Sequence, residues 1–226
     1  MLRAWKDLPI AMQTEAVKPY YESLQNKKIS LVCKFVFDRG MALVLLVILS
    51  PVFLLIGLAI KLDSQGEIFF RQERVTQYGK KFRIYKFRTM VQNAEAVGAK
   101  VTTNQDARIT VMGKKLRDKR LDELPQLINI LQGDMSFVGT RPEVTKYVEK
   151  YTQEMLATLL LPAGVTSEAS IEYKDEAKLL IEAKDVDQEY VQRVLPAKMV
   201  WNLESLKKFS LANDVRTMLK TLGAVV

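Results

Sequence analysis

With 226 residues, the chain suits one ordinary domain plus short extensions, and a 48% hydrophobic content is enough for a sizeable core. Its 34 basic residues against 26 acidic ones give a net charge of +8, which favours anionic partners (nucleic acid, acidic lipid, phosphorylated substrates) without choosing among them. Histidine is absent and Cys33 is the lone cysteine. That excludes Ser-His and Cys-His mechanisms, an internal disulfide and a thiolate zinc cluster, and it leaves any metal to oxygen ligands, hence magnesium or, as a substitute, manganese.

Residues 1–30 are mixed and polar, broken by Pro9 and Pro19. They suit short helices on a membrane surface or an oligomer contact, which would allow a homodimer. Residues 41–60 carry no charge over roughly 20 positions, about the length that spans a bilayer core. The run begins too far from the N-terminus, and lacks the small-residue cleavage site, for a secretory signal. A buried core helix is the alternative, but such helices are rarely apolar on every face. Ser50-Pro51 sits mid-run, where proline removes a helical hydrogen bond and predicts a kink. Lys27, Lys28, Lys34 and Arg39 precede the run, and Lys61, Arg71, Arg74, Lys80 and Lys81 follow it. Basic flanks belong on the cytoplasmic side. A kinked helix that enters and leaves by one face therefore satisfies both flanks better than a straight span.

Residues 68–70 and 82–88 are rich in β-formers, and Gln77-Tyr78-Gly79 supplies a turn between them. Residues 91–112, small and polar, suit a loop and a helix start. Residues 113–132 read as a helix with Leu121, Leu124, Leu127, Ile128 and Leu131 on one buried face, stopped by Gly133-Asp134. A further helix is expected over 143–160 and a turn at Pro162-Ala163-Gly164. The tail from Val200 sets Trp201, Leu206, Phe209 and Leu219 among basic residues. It suits an interfacial amphipathic helix or, equally, a helix packed on the core.

Three groups of residues can do chemistry. Asp122 and Glu123 lie just before Pro125. If a helix restarts there, both sit at its N-terminus, where the dipole favours anions; if the helix runs through, the proline leaves the Leu121 carbonyl without its usual donor. Either way the backbone is irregular at the pair. One carboxylate could bind a divalent metal while its neighbour attacks or accepts a proton; a solvated acidic pair is the plainer alternative. Lys86 and Arg88 share a face if both are in a strand, about 7 Å apart, and could grip a phosphate or simply keep a strand edge soluble. In Ser136-Phe137-Val138-Gly139-Thr140-Arg141-Pro142, proline extends the backbone at Arg141, so the loop either offers one rigid guanidinium to a phosphate or is a plain turn. Acids for a hard cation, cations for phosphate and an adjacent apolar run together suit phosphoryl transfer at a membrane surface.

From Phe37 to Pro142 the chain closely resembles the bacterial sugar transferases known as monotopic phosphoglycosyl transferases. The matching pieces are Phe37-Asp38-Arg39, Ser50-Pro51, Phe69 with Arg71-Gln72 and Arg74, Tyr85-Lys86-Phe87-Arg88-Thr89-Met90, Leu121-Asp122-Glu123-Leu124-Pro125-Gln126, Gly133-Asp134-Met135-Ser136-Phe137-Val138-Gly139 and Arg141-Pro142. The resemblance implies an α+β fold, mostly helical. A small β-hairpin and amphipathic interfacial helices would surround a compact catalytic domain. It implies an N-terminal extension with a membrane-surface helix over 1–36, a re-entrant membrane helix over 37–62 broken at Ser50-Pro51, and a catalytic domain over 63–226 on the cytoplasmic face of the bacterial inner membrane. The implied reaction moves a sugar-1-phosphate from a UDP-sugar donor to polyprenyl (undecaprenyl) phosphate, releases UMP, and initiates glycoconjugate or polysaccharide assembly. Asp122 would be the nucleophile, forming a covalent phospho-sugar aspartate. Glu123, with Asp122, would hold magnesium and give acid/base support. Lys86, Arg88 and Arg141 would bind phosphate groups.

Two departures stand out. Many relatives carry Pro-Arg-Pro where this chain has Thr140-Arg141-Pro142, and many carry Gly-Trp-Ala-Gln where residues 162–174 differ. Sugar choice is expected to depend on this segment, so the resemblance assigns no particular sugar. The competing expectation is a non-enzymatic membrane-anchored scaffold that binds acidic lipid or protein. No helix-turn-helix, zinc or RNA-binding signature is present, so nucleic acid is not an expected partner.

Overall fold

The computed structural model describes residues 2–92, 94, 107–174, 176 and 185–225. The chain opens with two single turns, Trp5–Asp7 and Ile10–Met12, and helix α1, Lys18–Gln25, which has Pro19 in its first turn, where a missing N–H costs no helical bond. Met12, Val17, Tyr20 and Leu24 do not lie on the surface. They pack with Ala157, Leu160, Leu206 and Phe209 into one core.

The apolar run forms helices α2, Lys28–Ile48, and α3, Ser50–Asp63, whose axes bend by 62° at Leu49. Pro51 occupies the first turn of α3, and the Ser50 hydroxyl donates to the Val47 carbonyl at 2.8 Å, so the break satisfies a group the proline displaces. No single helix among the described residues is long and apolar enough to cross a membrane, although the bent pair together has the length and composition. Val36, Leu43, Val47, Leu54, Leu58 and Leu62 are all exposed on the pair. Its inner face carries Ala42, which packs with Leu127 and Ile130, and Ile56 and Ile60, which pack with Phe87 and Leu116.

Strands β1, Phe69–Val75, and β2, Lys81–Phe87, pair antiparallel from Phe69↔Phe87 to Val75↔Lys81. The turn over Gln77–Gly79 has Tyr78 and Gly79 in the left-handed region. Most of the loop expected over 91–112 lies outside the described residues. Helix α4, Val111–Asp118, follows, capped by the Thr110 side chain. Here the sequence expectation needs correcting. Residues 113–132 do not form one helix: the chain turns left-handed at Arg120, makes a 3-10 turn over Leu121–Glu123, and restarts as α5, Gln126–Gln132, which Gly133 ends in the left-handed conformation. The restart shifts the helical phase, so Leu127 and Ile130 are buried while Leu131 is exposed.

Strand β3, Met135–Val138, pairs in parallel with β4, Ala163–Thr166. The expected turn at Pro162-Ala163-Gly164 is therefore the start of a strand. A Cβ on Gly164 would overlap the Gly139 backbone, so glycine is required where the two strands cross closely. The helix expected over 143–160 is two short pieces, α6, Thr145–Val148, and a 3-10 stretch, Met155–Leu160. Helix α7, Glu168–Glu172, and α8, Val186–Glu189, come next. A π-helical turn, Tyr190–Val194, then leads into α9, Leu195–Lys207, and the chain closes with α10, Leu211–Val225. The tail is thus two helices. Leu206 and Phe209 are buried in the core, whereas Trp201, Val215, Leu219 and Leu222 are exposed. The fold is α+β and mostly helical, with two small sheets among the described residues.

Candidate active site

The 3-10 turn over Leu121–Glu123 presents the two carboxylates. Left-handed Arg120 turns the chain before them, and Pro125, already helical in φ and ψ, turns it after them into α5. Three separate elements meet at Glu123. From β2, Lys86 Nζ donates to its Oε1 at 2.7 Å. From the loop after β3, Arg141 Nη1 donates to Oε2 at 3.3 Å and Nη2 donates to Oε1. Burial alone would raise the Glu123 carboxyl, but Arg141 and Lys86 outweigh it and hold the group well below the ordinary carboxylate range. Arg141 is in turn raised, chiefly by Glu123.

Asp122 is the counterpart. Burial pushes its carboxyl up, Lys86 pulls it down, Glu123 pushes it up again, and Arg117 and Arg141 oppose that, with a net rise. Both acids are desolvated, yet they are driven apart: cation contacts hold Glu123 ionised, whereas Asp122 ends raised. Such divergence is a common mark of division of labour between paired carboxylates.

The local scaffold explains the convergence. Asn129, fully buried on α5, accepts from the Tyr85 N–H at 2.9 Å and donates to the Arg83 carbonyl at 3.0 Å. These bonds lock β2 to α5 beside Lys86. Sequence reading missed Asn129, a single polar residue between Ile128 and Ile130. It also missed Arg117, which sits among solvated-looking charges yet donates to Thr89 Oγ1 at 2.8 Å and acts on Asp122.

Arg88 is not brought to the pair. The Arg88 N–H still donates to the Ile68 carbonyl at 2.9 Å, but its side chain turns to the end of α3. Its guanidinium is buried and donates to the Ser64 carbonyl (2.7 Å), Ser64 Oγ (3.0 Å) and the Ile60 carbonyl (3.4 Å) at the C-terminal end of α3. It caps the apolar helix, as a cation does at the negative end of a helix dipole. Ser50 and Pro51 lie at the bend between α2 and α3.

Among the described residues no three side chains of the metal-binding acid, cysteine or histidine types cluster. Asp122 and Glu123 are two adjacent carboxylates that could serve as hard-cation donors. Two carboxylates fit magnesium when substrate phosphates and water complete its shell. Nearby in sequence, Gln126 is buried with neither amide atom paired within the protein.

The hairpin and the loop after β3 thus each bring one cation to Glu123, one of two adjacent carboxylates on the broken helix, beside a bent apolar helix pair. Residues 29–226 match the model of the bacterial sugar transferase family, and the chain belongs to that family. It is 34% identical over 195 residues to the UDP-N-acetylgalactosamine-undecaprenyl-phosphate N-acetylgalactosaminephosphotransferase of Aeromonas hydrophila, covering 83% of this chain and 43% of that one. It is 37% identical over 190 residues to the UDP-glucose:undecaprenyl-phosphate glucose-1-phosphate transferase of Escherichia coli K12, covering 82% and 38%. It is 32% identical over 231 residues to the exopolysaccharide production protein ExoY of Sinorhizobium fredii, covering 96% and 91%. The chain thus spans less than half the length of the first two and nearly all of the third.

Proposed function

We propose that the protein transfers a sugar-1-phosphate from a UDP-sugar to polyprenyl phosphate, releasing UMP, at the cytoplasmic face of the bacterial inner membrane. The observation that carries this reading is the unequal carboxylate pair. Glu123 is held by Lys86 and Arg141, and Asp122 beside it is desolvated. In the first step an Asp122 oxygen attacks the sugar-proximal phosphorus. One O–P bond forms, the bridging P–O bond breaks, and UMP leaves with the electron pair. In the second step a phosphate oxygen of the lipid attacks the same phosphorus, and the bond to Asp122 breaks to regenerate the carboxylate.

Lys86 and Arg141 spend the resting state on Glu123 and turn to the incoming diphosphate. Glu123, with Asp122, would hold magnesium, which would supply neutralisation of phosphate charge. Arg88 Nη2 keeps the end of α3 in place, and its buried Nε and Nη1 have no partner among the described residues. The bent pair α2 and α3 supports a re-entrant anchor with both ends on the cytoplasmic side, its exposed leucines and valines in lipid. That anchor would set the pair at the depth of a lipid phosphate. Similarity to two relatives named for undecaprenyl-phosphate acceptors supports the acceptor class.

The test is UMP release by the full chain in nanodiscs, over a panel of UDP-sugars with polyprenyl phosphate and magnesium. Donor alone should leave a phospho-sugar adduct on the Asp122 peptide. If no donor yields UMP, or if Asp122→Asn keeps full activity, the assignment fails, and a lipid- or protein-binding scaffold becomes the better account.

A further inference from the structure

The loop Thr140-Arg141-Pro142-Glu143 has to hold a guanidinium against Glu123, and its backbone is tied accordingly. The Gly139 N–H donates to Thr166 (3.0 Å), Gly164 donates to the Thr140 carbonyl (2.9 Å), and Val75 donates to the Glu143 carbonyl (3.0 Å). Arg74 Nη1 donates to the Pro142 carbonyl at 3.3 Å. The next side chain turns inward. Glu143, 8% exposed, accepts from the Tyr190 hydroxyl at 2.5 Å and lies 3.7 Å from Lys198 Nζ. Lys198, 5% exposed, donates to the Tyr190 hydroxyl at 3.2 Å and to Glu176 at 2.8 Å.

Stability is a poor explanation for this cluster. A buried ammonium and carboxylate lose hydration that their attraction barely repays, and apolar residues of the same volume hold a core as well or better. What such a cluster fixes is geometry. Tyr190 opens the π-helical turn before α9, an irregularity that tends to occur at functional sites, and its ring packs 4.6 Å from the Tyr147 ring. The charges alternate along the series Glu123, Arg141, Glu143, Lys198, Glu176. After Glu123, Glu143 and Glu176 both add to the field on the Arg141 guanidinium.

We infer that Glu143, Tyr190 and Lys198 are positioning residues that hold the loop carrying Arg141 beside the carboxylate pair, so that α9 serves the transfer reaction without touching substrate. This rests on the transferase reading above.

The experiment measures amide hydrogen exchange and UMP release on the full chain in nanodiscs, for wild type, Lys198→Met, Lys198→Arg and Tyr190→Phe. Lys198→Met should speed exchange in the peptide covering 139–143 about tenfold or more while the β1–β2 hairpin and α1 stay unchanged. UMP-release kcat should fall about tenfold or more with a smaller change in donor KM, since small misplacements of a positioned group are costly. Lys198→Arg should restore both. In an Arg141→Lys background, Lys198→Met should cost little further, because the two act as one unit. Faster exchange throughout the protein, unchanged exchange at 139–143, or fully multiplicative losses in the double variant would overturn the inference. Tyr190→Phe keeps the ring packing and carries the same exchange test if Lys198→Met does not fold. If no variant, wild type included, releases UMP, the transferase reading fails, while the exchange data still decide whether the cluster holds the loop.

Discussion

Replacing Glu123 by glutamine removes one negative charge and leaves Lys86 and Arg141 facing a neutral amide. The size of the effect follows from the contacts. Glu123 takes charge-assisted hydrogen bonds from both cations, and its side chain is 15% exposed, against 22% for Lys86 and 35% for Arg141. Hydrogen bonds to charged groups contribute roughly 1.5–3 kcal/mol each, and the exposure of Arg141 calls for a discount on its share. A loss of about 2–4 kcal/mol at neutral pH is expected, a shift of several degrees in melting temperature for a chain of this size. The pH dependence has a definite sign. A carboxyl held below its unfolded value near 4.3 contributes stability that is fully present above that pH and is lost as pH falls through the folded value. Melting curves of wild type and Glu123→Gln, taken in the same nanodiscs across a pH series, should therefore lie far apart at pH 7 and converge under acid. A difference below about 0.5 kcal/mol at pH 7, or a gap that widens as pH falls, would refute the claim that Lys86 and Arg141 neutralise an ionised Glu123.

Other consequences are open to measurement. Because burial raises the Asp122 carboxyl, its proton must leave before it can attack, so the acid limb of kcat/KM should lie above the ordinary aspartate range; a limb at or below pH 4 would count against Asp122 as nucleophile. Asp122→Asn should abolish adduct formation without lowering the melting temperature, since it removes a desolvated charge. Asn129→Ala leaves the buried Tyr85 N–H and Arg83 carbonyl unpaired and should cost about 1–3 kcal/mol, with activity reduced through Lys86; an unaffected melting temperature would deny that lock. On a Cys33→Ser background, cysteines placed near residues 30 and 64 should both react with a reagent confined to the cytoplasm, and labelling from opposite sides would replace the re-entrant anchor with a straight span.

The local parts of the fold were legible because short-range chemistry decides them. Gln77-Tyr78-Gly79 between two β-rich runs made a hairpin, Gly133 stopped a helix, and Ser50-Pro51 bent one. The acidic pair was legible for the same reason: a proline three residues after Asp122 makes the backbone irregular whatever surrounds it. The misses turn on backbone turns or distant partners that no local pattern signals. Leucines 121 to 131 looked like one helical face, yet left-handed Arg120 splits the helix and changes its phase. Residues 162–164 read as a turn because β4 exists only by pairing with β3, some thirty residues earlier. Arg88, expected beside Lys86, has its Nη2 on the groups that close α3, a contact that no local pattern announces.

By itself, then, the sequence determined the kinds of chemistry open to the protein. Without histidine, and with one cysteine, it was left to carboxylates, fixed cations and hydroxyl groups. A 20-residue uncharged run with a central proline had to bend and seek an apolar setting. Only the tertiary structure decided which cation serves which acid. Lys86, Glu123 and Arg141 lie on different elements, and electrostatic interactions at these distances depend on packing that no local pattern encodes. The same packing made Asp122 and Glu123 unequal, because desolvation and neighbouring charge belong to a folded site and not to a dipeptide.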